Sequence, residues 1–242
     1  PGILAAADAG VGRIAALADG QPQEIEAITS HIAADVIFRT LFSIPIEDQI
    51  ASQVFDAFRD YQRTQPLLNL AAFLPLPAWV PRFHRRGTKA SAAKIRALIT
   101  QITEARAAQI AAGTAPDDLA TKIMTTADPL TGACFETSEM VDQVAIFFLA
   151  GHETSASALA WALLMLALYP QVQEQVAAEA AALGDAPDFA ALSKLRYTRD
   201  VFREVLRLYP PVPMMVRENT APEDLRGRLV AKGGQIVLSP WH

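Results

Sequence analysis

The sequence predicts a mainly helical chain of the α+β class, with helices first and short strands last. Apolar residues recur at three- and four-residue spacing from Gln23 to Leu208, the period of helices that bury one face. Short apolar runs separated by Gly and Pro appear beyond Pro210-Pro211, which is a strand-and-turn pattern. The 51% hydrophobic content of 242 residues is enough for a sizeable core. Charged residues make up 19% and the net charge is −5, which argues against a nucleic-acid binder, since that would show a basic surface. The single cysteine, Cys134, cannot form an internal disulfide, so a reducing, cytoplasmic setting is expected. The chain starts Pro1-Gly2 without Met and stops at Pro240-Trp241-His242 after a strand-like run. It is read as a fragment, with an N-terminal anchor left open.

Ile25, Ile28, Ile32, Val36 and Ile37 form one apolar stripe on a helix from Gln23 to Phe42, closed by Pro45. A second amphipathic segment spans Glu47 to Arg63, with Ile50, Val54, Phe55 and Phe58 on one side. Pro66, Pro75, Pro77 and Pro81 then punctuate Leu67 to Val80, so that stretch is a connection, either a lid or plain packing. Lys89 to Ala112 suits a long helix ended at Gly113, and Asp117 or Asp118 opens a short one to Thr126. Asp128-Pro129-Leu130-Thr131-Gly132 is a turn. Thr137-Ser138-Glu139 offers caps for the longest helix, which runs to Tyr169. Pro170 starts a helix to Leu183, Gly184 to Asp188 is a loop, and Leu195 to Leu208 is the last helix, stopped by Pro210-Pro211. Pro211 to Glu218, Arg226 to Val230 and Gln235 to Leu238 read as strands, with Lys232-Gly233-Gly234 turning between two of them.

Val144 to Leu168 is apolar nearly throughout and long enough to span a bilayer. Gly151-His152-Glu153-Thr154-Ser155 at its centre makes that costly, about 2.5 to 3.5 kcal/mol per ionisable residue. A core helix buried on every side avoids the cost. Such a helix needs a use for its polar centre, because buried polar groups require partners. The Thr154 hydroxyl can bond back to the Ala150 carbonyl, and Gly151 lets the helix open there. Two readings follow. One is a kink with satisfied polar groups; the other is a notch in which a hydroxyl stands beside a carboxylate whose burial raises its pKa, suited to passing protons. His152-Glu153 begins a zinc-protease motif, but Ala156 stands where the second histidine would be. His152 is then an ordinary helix residue facing neighbours or solvent, and no G-x-S-x-G serine-hydrolase motif is present.

Glu204 and Arg207 are three apart on one helix face and can pair. The same spacing occurs in Glu223-Asp224-Leu225-Arg226, so it is the context that separates them. Glu204-Val205-Leu206-Arg207-Leu208-Tyr209-Pro210-Pro211 resembles the E-x-x-R helix of the cytochrome P450 haem-thiolate monooxygenases. Ala150-Gly151-His152-Glu153-Thr154-Ser155 resembles that family's A-G-x-[DE]-T-[TS] motif, about 50 residues earlier and in the family's order. The likeness extends over Asp35-Val36-Ile37-Phe38-Arg39-Thr40-Leu41-Phe42 and Ile236 to His242, so residues 1–242 are similar to the middle portion of one incomplete domain of that fold.

The resemblance implies haem b with its iron as cofactor of the full-length parent, and Glu153 and Thr154 as managers of protons during dioxygen activation. It implies that Ala150 and Gly151 line the haem's distal face and that Arg217 binds a propionate. Glu204 and Arg207 become a structural ion pair short of a third partner. Val212, Pro213, Met214 and Met215 border the substrate pocket; by pattern alone they are equally a strand packed in the core. No F-x-x-G-x-R-x-C-x-G loop is present, so the iron-ligand cysteine is absent from this chain, and Cys134 reads as an ordinary loop thiol. The implied parent inserts one oxygen atom from O2 into a small apolar organic substrate, with electrons from a ferredoxin- or flavoprotein-type redox partner, no nucleic acid and no membrane span. The fragment is expected to be inactive alone. The alternatives are a degenerate or split helical binding module without haem chemistry, and a membrane protein built on Val144 to Leu168.

Overall fold

The computed structural model describes residues 2–64, 86–184, 188 and 190–239, and the Leu67 to Val80 connection lies outside them. The chain packs as two compact units, Pro1–Glu153 and Thr154–His242. The first unit holds α1 (Gly2–Leu17), α2 (Ile25–Phe42), α3 (Gln49–Thr64), α4 (Arg86–Ala111), α5 (Leu119–Thr125) and the first half of α6 (Thr137–Leu168). Its core is one cluster in which Phe38, Leu41 and Phe42 of α2 meet Val54, Phe55 and Phe58 of α3. Ile95, Ile99 and Ile102 of α4 and Met140, Val141, Val144 and Phe148 of α6 complete it. Each such side chain contributes about 1.5–3 kcal/mol on burial. Phe148 stacks on Phe58 at 4.4 Å and tilts against Phe38 at 5.2 Å.

Two buried carboxylates tie the helix ends to this core. Asp35 Oδ1 accepts from Arg39 Nε at 2.8 Å and from the Ile46 backbone N–H at 2.9 Å, fixing the chain after α2. Asp118 caps α5 by accepting from the Thr121 N–H at 3.1 Å, and it also accepts from Ser43 Oγ at 2.9 Å and from Arg106. Arg106 in turn donates to the Phe42 carbonyl at 2.7 Å, Thr121 Oγ1 at 2.8 Å and Gln109 Oε1 at 2.9 Å. A buried ion pair is tolerated when its remaining donors and acceptors are used in this way.

Helix α1 is not legible from apolar periodicity. It meets α2 through small residues, Ala6 and Gly10 being its buried positions, while Ile3 and Val11 are exposed. The long central helix is present, but its burial follows one stripe, Met140, Val144, Phe148 and His152, rather than every side; Ile146, Phe147 and Leu149 are exposed. Among the described residues no single helix is long and apolar enough to cross a membrane. Among those residues α6 and α7 (Pro170–Ala181) pass together by length and composition, and that pair is bent by 112°.

The second unit holds the rest of α6, then α7, a 3-10 turn over Ala190–Lys194 and α8 (Arg196–Leu208). Pro170 occupies the first turn of α7, where its missing N–H costs nothing. Glu179 on α7 caps α8 from outside, accepting from the Tyr197 and Thr198 N–H groups and the Thr198 hydroxyl, each at 2.8 Å. The Thr198 N–H is the main reason its carboxyl is held below the usual glutamate range. Among the described residues four short strands follow: β1 (Met215–Glu218), β2 (Glu223–Leu225), β3 (Arg228–Val230) and β4 (Gln235–Leu238). β1 pairs antiparallel with β4, and β2 with β3. Arg226 is thus a turn residue and not the start of a strand. With Gly227 it forms a two-residue hairpin turn at φ 54° and 79°, the left-handed pair such turns require. Buried Asn219 joins the turns, exchanging backbone bonds with Gly234 at 3.0 Å and Gly233 at 2.9 Å.

Candidate functional site on the central helix

Residues 150–154 lie on α6, helical without a break from Thr137 to Leu168. The helix is oriented there by His152, which is 2% exposed. Its ring stacks on Phe148 at 5.4 Å and meets Phe55 edge-on at 5.4 Å, and Nε2 lies 2.7 Å from Ser30 Oγ on α2. Burial is the main cause that holds the imidazole down to about pKa 4, with Arg59 adding to it. Of the two environments the sequence left open, His152 therefore faces neighbours and not solvent.

Glu153, one residue on, is exposed. The burial expected of it is not found, because a 100° step along the helix turns it away from the stripe that His152 occupies. Its Oε2 accepts from Gln62 Nε2 on α3 at 3.1 Å. Glu153 lines a polar cavity of about 320 Å³ with Ser30, Arg59, Gln62, Arg63, Glu24 and Glu26. Thr154 is half-buried and Ala150 exposed; four residues apart, they share one helix face. Gly151 is half-buried, and a β-carbon there would stand 3.2 Å from Ile37 Cδ1, so the glycine lets α2 and α6 approach closely.

In the second unit Glu204 and Arg207 form a two-pronged pair, Nε to Oε2 at 2.8 Å and Nη2 to Oε1 at 2.6 Å. The hydrogen bond from Arg207 lowers the Glu204 pKa and raises that of Arg207 itself. Arg217 on β1 is exposed, donates to the Val216 carbonyl at 3.0 Å and makes no ion pair among the described residues. Val212, Met214 and Met215 are 50%, 53% and 40% exposed and Pro213 is half-buried. The described residues leave Val212, Met214 and Met215 unburied, so they do not form the packed core strand that the pattern alone also allowed. Trp161 of α6 and Tyr209, the residue after α8, stack at 4.1 Å.

Cys134 is exposed, in a loop beside an apolar pocket of about 560 Å³ that includes Leu119, Ile123 and Phe135. Among the described residues no three His, Cys, Asp or Glu gather to hold a metal ion. Sequence reasoning missed Ser30, Gln62 and the Arg106–Asp118 pair as partners. Nothing in local spacing signals them, since the members of each pair lie 122, 91 and 12 residues apart.

Both motifs thus stand on the elements expected of them, one at mid-length of the longest helix and the other on the last helix before the strands. A family model described as Cytochrome P450 matches residues 5–242. This chain belongs to the cytochrome P450 family. Among its curated relatives, Cyclooctat-9-en-7-ol 5-monooxygenase of Streptomyces melanosporofaciens is 34% identical over 84% of this chain and 44% of its own length. Cytochrome P450 72A11 of Arabidopsis thaliana is 28% identical over 86% of this chain and 41% of its own. The heme domain of cytochrome P450DA has a TM-score of 0.81 at 22% identity, matching 99% of this chain and 52% of that one. A second solved cytochrome P450, CYP102L1, gives a TM-score of 0.74 at 26% identity, over 99% and 56%. The chain spans about half the length of the P450s it matches.

Proposed function

We propose that residues 1–242 are the middle portion of one P450 domain, and that the whole protein is a haem-dependent monooxygenase acting on an apolar organic substrate. The carrying observation is the family match over residues 5–242 with both motifs in place. Haem, when bound, supplies the iron chemistry that activates O2 with two electrons and leaves one oxygen atom for the substrate. The residues present suit that group. Ala150 offers a small exposed side chain on the face of α6 that it shares with Thr154, which a flat macrocycle can approach. Arg217, with no ion-pair partner among the described residues, is a planar charged donor suited to a propionate.

In this reading Glu153 exchanges protons with solvent through the polar cavity at its carboxylate, and the Thr154 hydroxyl passes them on toward the reacting oxygen. Gly151 keeps α6 against α2, and the His152–Ser30 contact fixes the rotation of α6, so the two groups are held in register. Val212, Pro213, Met214 and Met215 border the substrate, with methionine giving adaptable apolar contact. Glu204 and Arg207 brace the end of α8 and take no chemical part. The Streptomyces relative is named for action on cyclooctat-9-en-7-ol, which supports a largely hydrocarbon substrate here. The electron donor is a ferredoxin- or flavoprotein-type protein, and the setting is cytoplasmic.

The test is Thr154→Ala in the full-length holoenzyme. Product formed per O2 consumed should fall by about tenfold or more, within the range of a lost proton-transfer group. An unchanged ratio removes the proton role from Thr154.

A further inference from the structure

Among the described residues the hydrogen bond to the Glu153 carboxylate comes from a group that carries no charge. Gln62 Nε2 donates to Oε2 at 3.1 Å, while Arg59 and Arg63 line the same cavity and neither forms an ion pair with Glu153 among the described residues. The Arg59 guanidinium lies 5.6 Å from the Phe55 ring centroid instead. The placement of Gln62 follows from packing one turn away. Phe58 of α3 stacks on Phe148 of α6; Gln62 is four residues after Phe58, on the same face, and it meets Glu153 five residues after Phe148. The α3–α6 core contact holds the two helices close enough for Gln62 to reach the carboxylate on the flank of α6.

The choice of donor matters chemically. A guanidinium bonded to Glu153 would favour the charged carboxylate strongly and so oppose proton uptake. A neutral amide orients the oxygen while asking less of its charge state, since it can donate to either oxygen of the protonated or ionised form. We propose that Gln62 is a positioning residue that holds the Glu153 carboxylate in a set orientation and keeps the two cavity arginines from pairing with it. This inference rests on the proton role proposed for Glu153. The charged groups lining the cavity with that carboxylate are Glu24 just before α2, Glu26 in its first turn, and Arg59 and Arg63 on α3; on α6 itself His152 is turned toward the core.

The experiment uses the full-length holoenzyme with Gln62→Leu, Gln62→Met, Gln62→Arg, Glu153→Gln and the double variant Gln62→Leu/Glu153→Gln. Two quantities are read: product per O2 consumed, and the carboxylate stretching band of Glu153 in the resting protein labelled with 13C-glutamate, identified by its loss in Glu153→Gln. Gln62→Leu and Gln62→Met should each shift that band and lower the product ratio about tenfold, the size of a lost hydrogen bond to a charged group, with substrate affinity unchanged. Gln62→Arg should lower the ratio as well, by locking the carboxylate in an ion pair. The double variant should be no worse than Glu153→Gln. If Glu153→Gln uncouples the enzyme while the Gln62 variants leave band and ratio untouched, the positioning role is overturned and the proposed function stands. A double variant worse than Glu153→Gln by the full Gln62→Leu factor also overturns it. If Glu153→Gln itself leaves the ratio unchanged, the proton role of Glu153 fails and the positioning role goes with it. Methionine keeps nearly the length of glutamine, so a folding failure of the leucine variant leaves the test intact.

Discussion

Acidifying the protein should unfold it in part through one imidazole. His152 is 2% exposed, enclosed by Phe148 and Phe55 and bonded to Ser30. Whichever ring nitrogen carries the proton, a second proton cannot be added without a charge inside that aromatic shell. Burial accordingly holds its pKa down to about 4, against about 6.5 in an unfolded chain. Because the folded value is the lower one, the unfolded state binds more protons between these limits. Stability is then fully present above pH ~6.5 and is lost as pH falls toward ~4, at up to ~1.4 kcal/mol per pH unit and roughly 3 kcal/mol in all. Urea titrations at pH 7.5, 6.5, 5.5 and 4.5 on the native protein and on His152→Gln isolate this contribution. The amide keeps a partner for Ser30 but does not titrate, and His31, whose own pKa burial lowers, is common to both. The native protein should lose about 2.5 kcal/mol more than the variant over that range. Parallel losses in the two proteins would refute the reasoning.

Arg106→Met should cost about 3–5 kcal/mol in urea unfolding, because it strands the buried Asp118 carboxylate; adding Asp118→Asn should recover part of the loss, and a neutral single substitution would show the pair to be dispensable. At Gly10 a β-carbon would fall 2.8 Å from both Cδ1 and Cγ1 of Ile32. Gly10→Ala should therefore destabilise by about 1–3 kcal/mol, and by distinctly less in an Ile32→Ala background; equal losses in both backgrounds would mean that the α1–α2 approach is not the cause.

Much of the fold is legible along the chain because its signals are local. Ile25, Ile28 and Ile32 lie one helical turn apart, Pro170 can only begin a helix and Pro210-Pro211 can only end one. The strand expected from Arg226 starts instead at Arg228, because a two-residue turn with positive φ at a non-glycine residue leaves little trace in composition. Helix α1 went unread because its contact with α2 uses the absence of side chains at Ala6 and Gly10, and periodicity is read from large apolar groups.

The same division runs through the site. The A-G-x-[DE]-T and E-x-x-R patterns, the order of helices before strands and thereby the P450 family follow from the linear order of residues, since each is fixed by neighbours within one or two turns. Whether Glu153 is buried, what holds it, and which way His152 faces depend on the rotation of α6 against α2 and α3. That rotation is set by Phe58 on Phe148, by Ser30 on His152 and by the space over Gly151 for Ile37. Those contacts join residues about 90 to 120 positions apart, and their geometry exists only once the helices have packed, because packing, not local propensity, decides which face of an apolar helix is covered.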